Sequence, residues 1–299
     1  MEELTAPANG IEIVYQSFGD PADPTMLLIM GLATQMLGWD EGLCELLAAR
    51  GFRVVRFDNR DVGRSTKIEG GPRANVLAAA AGDVSSASYT LSDMAADSAG
   101  LLDHLGVEAA HVVGASQGGM IGQTLAIERP ERVLSLASIM STTGDPTVGQ
   151  PHPEALPALL TPAPADREGF IEFVVRTWAV IGSPGFDRED DALRKLAGAS
   201  YDRGIHSAGT ARQLLAILAS GDRTAALRTL SLPTVVIHGT DDPLIDVSGG
   251  KATAAAIPGA ELVLIEGMGH DLPVELWPRL VDLIVANAER AGVGAGEGR

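Results

Sequence analysis

Short apolar runs alternate with amphipathic segments along most of this chain. Runs rich in apolar residues predict strands at 26–30, 53–57, 111–115, 133–139, 234–238 and 261–265. The run at 26–30 is continuously apolar, which is typical of a strand buried on both faces. Residues 11–17 alternate between apolar and polar positions, which predicts one half-exposed strand. Helical spacing is found between these runs, at 37–50, 89–105, 120–128, 249–256 and 273–289. This alternation predicts an α/β fold with a mostly parallel sheet covered by helices on both faces.

Two segments interrupt the alternation of strands and helices. Residues 68–88 form an insertion rich in Gly, Ala and Ser, with room for a short helix at 74–81. Residues 142–230 begin with Pro-rich turns and continue with helical patterns near 166–181, 188–201 and 208–220, without a strand pattern. A helical insertion between strands is typical of a lid over an active site, and a separate second domain is the alternative. We expect a core at 1–141 and 231–290, a helical lid at 142–230 and a disordered Gly-rich tail at 291–299.

The stretch Gly114-Ala115-Ser116-Gln117-Gly118 lies between a predicted strand and a predicted helix. This is the strand–turn–helix context of a nucleophile elbow, in which a strained backbone lifts the serine hydroxyl clear of the sheet. Glycines are needed two residues away because side chains there would collide with the neighbouring strand and helix. A Gly-rich chain can contain this pattern by chance, but the flanking elements favour a nucleophile at Ser116.

A serine nucleophile needs a base, and the base needs a carboxylate to orient it. Of the six histidines, His270 follows the last predicted strand, where loops at the carboxyl ends of strands line a site. His238 ends a strand and is interpreted as buried and structural, whereas His206 in the lid is interpreted as a surface residue. Either Asp241 or Asp242, directly after the strand that ends at His238, can orient His270.

An oxyanion hole needs two backbone N–H donors aimed at the developing charge. The N–H of Gln117, directly after the nucleophile, is the first candidate. The second is the N–H of Leu32, in the loop that follows the strand at 26–30. The alternative is that Met30-Gly31 forms only a tight turn.

Composition narrows the function classes. The net charge of −17 disfavours binding to nucleic acid and to anionic membranes, and no apolar run approaches the ~20 residues of a membrane span. The single cysteine, Cys44, cannot form an internal disulfide and is expected to be a packed thiol. The first residues show neither the basic nor the apolar region of a signal peptide, which predicts a cytoplasmic protein, monomeric or homodimeric. Without a metal-ligand cluster or a dinucleotide glycine motif, we expect no metal and no cofactor.

Several of these motifs together resemble the α/β-hydrolase fold family along about residues 10–290. They are Met30-Gly31-Leu32, the polar loop Asp58–Ser65, the elbow at 114–118, His238 to Pro243 and Gly267 to His270. Within that fold the chain is most similar to the group that contains aclacinomycin methylesterase and proline-iminopeptidase-like hydrolases. The resemblance implies Ser116 as nucleophile, His270 as base, and Asp242, the last residue of a G-x-x-D run, as the acid in place of Asp241. The chain departs from the family at Met30, where His is common.

The motifs and the resemblance together predict a serine hydrolase that cleaves a carboxylic ester, such as a methyl ester of a bulky apolar metabolite, through an acyl-enzyme. Aminopeptidase, thioesterase, lactonase and carbon–carbon bond hydrolase activities remain alternatives because they use the same triad, and a non-catalytic binding module is a further one. Apolar side chains for such a substrate, or for the core, are Leu32, Met36, Met120, Met140, Phe170, Phe173, Trp178 and Met268. An aminopeptidase would hold its amine with lid acids, and Glu168, Glu172, Asp187 and Asp190 are available.

Overall fold

The computed structural model describes residues 1–293, and their centre is an eight-stranded sheet in the order β1-β2-β4-β3-β5-β6-β7-β8. The pairs β1–β2 and β2–β4 are antiparallel, and all other neighbouring strands are parallel. The strands are β1 (Leu4–Ala8), β2 (Ile11–Phe18), β3 (Thr25–Ile29), β4 (Arg53–Phe57), β5 (Ala110–Ala115), β6 (Val133–Ile139), β7 (Thr234–Gly239) and β8 (Glu261–Ile265). The predicted mostly parallel sheet is therefore confirmed.

Helices connect these strands within a few residues of the predicted positions. They are α1 (Glu41–Ala48), α2 (Val76–Ala80), α3 (Leu91–His104), α4 (Gln117–Glu128), α5 (Leu156–Leu160), α6 (Arg167–Ile181), α7 (Asp190–Arg203), α8 (Ser207–Ser220), α9 (Thr224–Leu227), α10 (Val247–Ala256) and α11 (Trp277–Val293). The short helices α5 and α9 were not predicted, because one turn of helix carries too little periodicity to be recognised.

Strand β1 was also missed by the sequence pattern. It is five residues long and contains Pro7, which is tolerated here because β1 is an edge strand. Ala6 pairs with Ile13 across the antiparallel ladder and is fully buried. Pairing with β2 therefore defines this strand, because its own five residues show no strand pattern.

Two apolar cores lie on opposite faces of the sheet. In β3, Leu27 and Ile29 pack into the core that also contains α3 and α4, whereas Met26 and Leu28 pack into the core that contains α1 and α11. Adjacent side chains of a strand point to opposite faces, so a continuous apolar run is needed where both faces are covered. Cys44 belongs to the second core, and burial raises the pKa of its thiol to about 12, as expected of a packed thiol.

The segment 142–230, which we call the lid segment, connects β6 to β7 and contains α5 to α9. Two buried ion pairs attach it to the loop after β4. The guanidinium of Arg203 on α7 donates to Asp58 at 2.8 Å, and that of Arg212 on α8 donates to both oxygens of Asp61 at 2.8 and 2.7 Å. Both carboxylates are buried, and their hydrogen bonds to the guanidinium groups fix the orientation of the lid segment on the loop after β4.

The last helix, α11, continues to Val293, three residues into the tail that the sequence predicts to be disordered from 291. Residues 294–299 lie outside the described part of the chain. Among residues 1–293, none of the helices combines the length and the apolar character that crossing a membrane requires.

Candidate active site

Ser116 stands at the sharp turn between β5 and α4. Its backbone has φ 56° and ψ −122°, a conformation that L-residues rarely adopt, and its N–H donates to Ile139 O at 2.9 Å. A Cβ on Gly114 would lie 2.2 Å from Gly118 O, and a Cβ on Gly118 would lie 2.0 Å from Ile29 O. Both glycines are therefore required by close backbone contacts, as the elbow pattern predicts.

Three side chains from different parts of the chain form one line of hydrogen bonds. Ser116 Oγ lies 3.0 Å from His270 Nε2, and His270 Nδ1 lies 2.7 Å from Asp242 Oδ2. His270 and Asp242 are buried, and Ser116 is half-buried. With Nδ1–H donating to the carboxylate, Nε2 presents its lone pair to the serine hydroxyl. This geometry allows His270 to remove the proton of Ser116.

The two adjacent aspartates occupy different environments. Asp242 is buried, and its Oδ1 accepts the N–H groups of Leu244 and Ile245, both at 2.9 Å. Burial alone would raise the pKa of Asp242, but His270 and these N–H donors hold it below its ordinary value. Asp241 is exposed, and its Oδ2 accepts the N–H of Gly267 at 2.9 Å. Of the two, Asp242 is the one in contact with His270.

His238 and His206 have structural surroundings. His238 is fully buried, its Nε2 lies 2.8 Å from Ile245 O and 3.6 Å from Asp242 Oδ2, and burial lowers its pKa. Its ring thus supports the loop that carries Asp242. His206 is half-buried, and its Nε2 lies 3.0 Å from the guanidinium of Arg212. It belongs to the attachment of the lid segment to the loop after β4.

The loop after β3 runs against the nucleophile. A Cβ on Gly31 would lie 3.0 Å from Ser116 Cβ, so a side chain at position 31 would crowd the serine. The following residues form a turn in which Thr34 N–H donates to Gly31 O at 3.3 Å and Ala33 has φ 57°. Leu32 follows Gly31 directly at the first corner of this turn, so its N–H remains a candidate donor of an oxyanion hole.

Gln213 on α8 is a buried residue of the site that the sequence did not indicate. Its Oε1 accepts the N–H of Ala33 at 2.8 Å, and its Nε2 donates to Arg60 O at 2.8 Å. Its backbone carbonyl accepts from the side-chain Nε2 of Gln117 at 3.2 Å. Gln213 lies 180 residues from Ala33 in an otherwise ordinary amphipathic helix, so no local signal could have revealed it.

The C-terminal end of α6 contacts the loop after β8, which carries His270. The N–H of His270 donates to Ile181 O at 2.7 Å, and the N–H of Gly269 donates to Ser183 Oγ at 2.8 Å. Ser183 Oγ in turn donates to Asp271, whose pKa is raised by burial. The lid segment therefore touches both His270 and the loop beside Ser116.

The eight apolar candidates divide by exposure. Four are buried core residues, namely Met36, Met120, Met140 and Met268. The other four are half-buried and thus free to contact a ligand, namely Leu32, Phe170, Phe173 and Trp178. The interpretation as core therefore holds for half of the set, while three of the remaining four lie on α6 of the lid segment.

The acidic candidates for holding a substrate amine lie at the surface or in ion pairs. Glu172 is hydrogen-bonded to Arg194, and Asp190 is hydrogen-bonded to Arg188. Glu168 and Asp187 are exposed. This arrangement does not favour an aminopeptidase. Within residues 1–293, no group of three or more His, Cys, Asp or Glu side chains is arranged to hold a metal ion.

Comparison with known proteins gives a consistent family. Residues 24–275 match the family described as the alpha/beta hydrolase fold. The chain is 32% identical to rhodomycin D methylesterase DnrP of Streptomyces peucetius, over 93% of this chain and 95% of that protein. It is 31% identical to rhodomycin D methylesterase DauP of Streptomyces sp. (strain C5), over 98% and 97% of the two chains.

Solved structures agree on the architecture. The meta-cleavage product hydrolase CumD of Pseudomonas fluorescens superposes with a TM-score of 0.76 at 21% identity, over 96% of this chain and 98% of that one. The enol-lactonase of Burkholderia xenovorans superposes with a TM-score of 0.72 at 23% identity, over 96% and 100% of the chains. At such identities the likeness concerns the fold alone.

Proposed function

The chain belongs to the α/β-hydrolase fold family, and we propose that it cleaves a methyl ester of a bulky apolar metabolite with Ser116, His270 and Asp242 as its catalytic triad. Its similarity to two methylesterases over more than nine-tenths of its length makes it a serine hydrolase of carboxylic esters. The predicted resemblance to the methylesterase group and the predicted reaction class are thereby confirmed. The catalytic residues, the lid and the substrate are our proposals.

Each side chain of the proposed triad has one role. Ser116 Oγ attacks the acyl carbon while His270 Nε2 takes the hydroxyl proton, and the same imidazolium returns that proton to the departing alcohol. Water then attacks the acyl-enzyme with His270 again as base, which releases the carboxylic acid and restores Ser116. Asp242 holds the Nδ1–H tautomer and stabilises the imidazolium. The hydrogen-bond distances of 3.0 and 2.7 Å support this assignment.

The negative oxygen of the tetrahedral intermediate needs donors that are already in place. We assign the N–H of Gln117, the first residue of α4, and the N–H of Leu32, in the turn that touches Ser116. The positive end of the α4 dipole adds to the stabilisation at Gln117. Removing one donor of such a hole costs about 10²–10³ in kcat in a well-studied case.

The substrate class is inferred from relatives and from the lid segment. The names of the two relatives refer to a methyl ester. The alcohol released from a methyl ester is small, so any bulk of the substrate lies in its acyl group. Half-buried Phe170, Phe173 and Trp178 on α6 are suited to contact a large apolar acyl group. We therefore propose that the lid segment covers Ser116 and selects bulky apolar acyl groups.

The single observation that carries the catalytic assignment is the contact of Ser116 Oγ with His270 Nε2. A fluorophosphonate probe should label Ser116, identified by mass spectrometry of the labelled peptide. Ser116→Ala should lower kcat for an aryl ester by about 10⁴-fold or more while the protein stays folded. The exposed Ser92→Ala is the matched control and should leave labelling unchanged. Retention of more than about a tenth of the activity in Ser116→Ala would contradict the proposal.

A panel of methyl, aryl, thioester, lactone and aminoacyl substrates tests the proposed substrate class. Methyl esters with large apolar acyl groups should give the highest kcat/KM. A lactone or a thioester as the best substrate would move the assignment to the corresponding alternative, and a failure to react at all would favour a binding module. The cytoplasmic location and the monomeric or homodimeric state stay predictions, which cell fractionation and light scattering can test.

A further inference from the structure

Gln213 on the lid segment contacts the backbone of the proposed oxyanion hole. The side chain is fully buried in the middle of α8, a position where an apolar residue is the usual choice. Burying an amide costs free energy unless its polar atoms find partners. Both are matched here, Oε1 by the N–H of Ala33 and Nε2 by the carbonyl of Arg60, each at 2.8 Å. The amide therefore links α8 to two loops of the sheet.

The bond to Ala33 acts on a turn that is under backbone strain. Ala33 has φ 57°, which is unfavourable for a residue with a Cβ, so external contacts must hold it. The peptide after Leu32 is fixed at both ends, because Ala33 N–H donates to Gln213 and Leu32 O accepts from Thr34 Oγ1 at 3.1 Å. The peptide before Leu32 is fixed by the bond from Thr34 N–H to Gly31 O. The direction of the Leu32 N–H thus depends on this turn.

Gln213 also contacts the other side of the hole. Its backbone carbonyl accepts from Gln117 Nε2 at 3.2 Å, and the Gln117 side chain is fully buried. Gln117 provides the second proposed N–H donor. One residue of the lid segment therefore bonds to Ala33, the neighbour of Leu32, and to Gln117, and none of its hydrogen bonds involves Ser116, His270 or Asp242.

We propose that Gln213 is a positioning residue that orients the Leu32 N–H of the oxyanion hole from the lid segment. The inference rests on the proposed function, since it concerns the transition state of that reaction. Gln213 contributes to turnover, whereas the aromatic residues of α6 contribute to substrate choice. The lid segment then acts on the chemistry as well as on selectivity, which the sequence did not predict.

The first test removes the amide at nearly constant volume. Gln213→Met should lower kcat for an aryl ester by about 10- to 100-fold and change KM less than about 3-fold, because the hole acts on the transition state. A boronic acid that forms a tetrahedral adduct on serine should bind more weakly by a similar factor. Gln123→Met is the matched control, since Gln123 is equally buried on α4 and its amide is also bonded at both ends, donating to Ser138 Oγ and accepting from Arg223, each at 3.3 Å, rather than bonding to the proposed hole.

The second test restores the hydrogen bonds by protonation. In Gln213→Glu, a protonated carboxyl can accept from Ala33 N–H and donate to Arg60 O as the amide does, whereas a carboxylate cannot donate. Burial favours the neutral carboxyl. The kcat/KM of this variant divided by that of the wild type should therefore rise as pH falls, and the ratio cancels ionisations that the two proteins share.

The outcomes separate the two levels of inference. Wild-type kcat in Gln213→Met, a boronic acid affinity that does not follow kcat, or an equal loss in Gln123→Met would each overturn the role of Gln213. If Gln213→Met fails to fold, Gln213→Glu still provides a test. A ratio of its kcat/KM to that of the wild type that is independent of pH would overturn the role of Gln213. A wild-type protein that neither hydrolyses esters nor reacts with a fluorophosphonate at Ser116 would overturn the proposed function and this inference together.

Discussion

Asp242 Oδ2 lies 2.7 Å from His270 Nδ1, while the neighbouring carboxylate of Asp241 lies on the exposed side of the same turn. The remaining oxygen of Asp242 accepts two backbone N–H groups of that turn, from Leu244 and Ile245. The acid is thus immobilised by the backbone that follows it. A carboxylate held in this way keeps the imidazole in one orientation and in one tautomer.

We predict that Asp242→Asn lowers kcat by about 10⁴-fold, as in a serine protease triad. An Asn at this position can donate to Nδ1, which favours the tautomer with the proton on Nε2 and removes the base. Asp241→Asn should change kcat less than about 3-fold, because Asp241 contacts Thr240 and Gly267 but not His270. Steady-state kinetics on an aryl ester decides, and the reverse ranking would move the acid to Asp241.

We predict that aromatic residues of α6 set the choice of substrate. Phe173→Ala and Trp178→Ala should shift the ratio of kcat/KM between bulky and small esters by about 1–3 kcal/mol, the value of a lost apolar contact. The small ester should still be turned over. Val180→Ala is the control on the same helix, because Val180 is exposed and its loss should leave the ratio unchanged.

Equal losses on all esters in folded variants would argue against this role of α6. Selectivity would then be sought in the insertion at 68–88, whose helix α2 packs against α8. Such a result would leave the catalytic assignment of Ser116 intact, because Ser116, Asp242 and His270 follow strands β5, β7 and β8 and none of them lies on α6.

We predict that the buried pair of Asp61 and Arg212 holds the lid segment in place. Arg212→Met leaves the Asp61 carboxylate buried without its cation, which should lower the free energy of unfolding by about 3–5 kcal/mol. The double variant Asp61→Asn/Arg212→Met should be less destabilised than Arg212→Met alone. Arg167→Met, in an exposed pair with Asp202, is the control and should lower the free energy of unfolding far less than Arg212→Met does, because solvent screens an exposed pair.

The same pair predicts a pH dependence in the acid range. Burial alone would raise the pKa of Asp61, but the bonds from Arg212, Ile68 and Tyr89 hold it below its ordinary value. Its contribution to stability is therefore complete above about pH 4 and is lost as pH falls through the folded-state pKa. The difference in the free energy of unfolding between wild type and Arg212→Met, measured by urea titration, should therefore become smaller as pH falls through this range. A difference that stays constant from pH 7 to pH 3 would contradict the role of the ion pair.

We predict a second pH effect from His238. Burial lowers its pKa in the folded state, so below about pH 6.5 the unfolded chain binds a proton that the folded protein does not. Stability should fall with pH below that value, by at most about 1.4 kcal/mol per pH unit for this group. His238→Gln can still donate to Ile245 O and should show a shallower slope below pH 6.5, with parallel curves above pH 7. An unchanged slope would contradict this.

Local patterns predicted most of the elements and the chemistry of the site. The apolar run at 26–30 became β3, buried on both faces, because such a run is stable only where helices cover both sides. The elbow around Ser116 was readable because its two glycines, the serine and the flanking strand and helix follow one another within a short stretch of the chain. His270 was readable from its place after the last strand. These features depend on residues that are near one another in sequence.

Other features depended on residues far apart in sequence. By residue type, either Asp241 or Asp242 could be the acid, and the resemblance to a family favoured Asp242. In the structure, the turn after β7 brings Asp242 into contact with His270. The bond between Gln213 and Ala33 spans 180 residues and follows from how α8 packs on the sheet. The sequence by itself determined most of the elements, the elbow pattern and the residue types of the proposed triad, because these signals lie within short stretches of the chain. Only the tertiary structure decided which distant polar groups pair. A buried polar group must find a hydrogen-bond partner, and the packing of helices on the sheet determines which groups lie within reach.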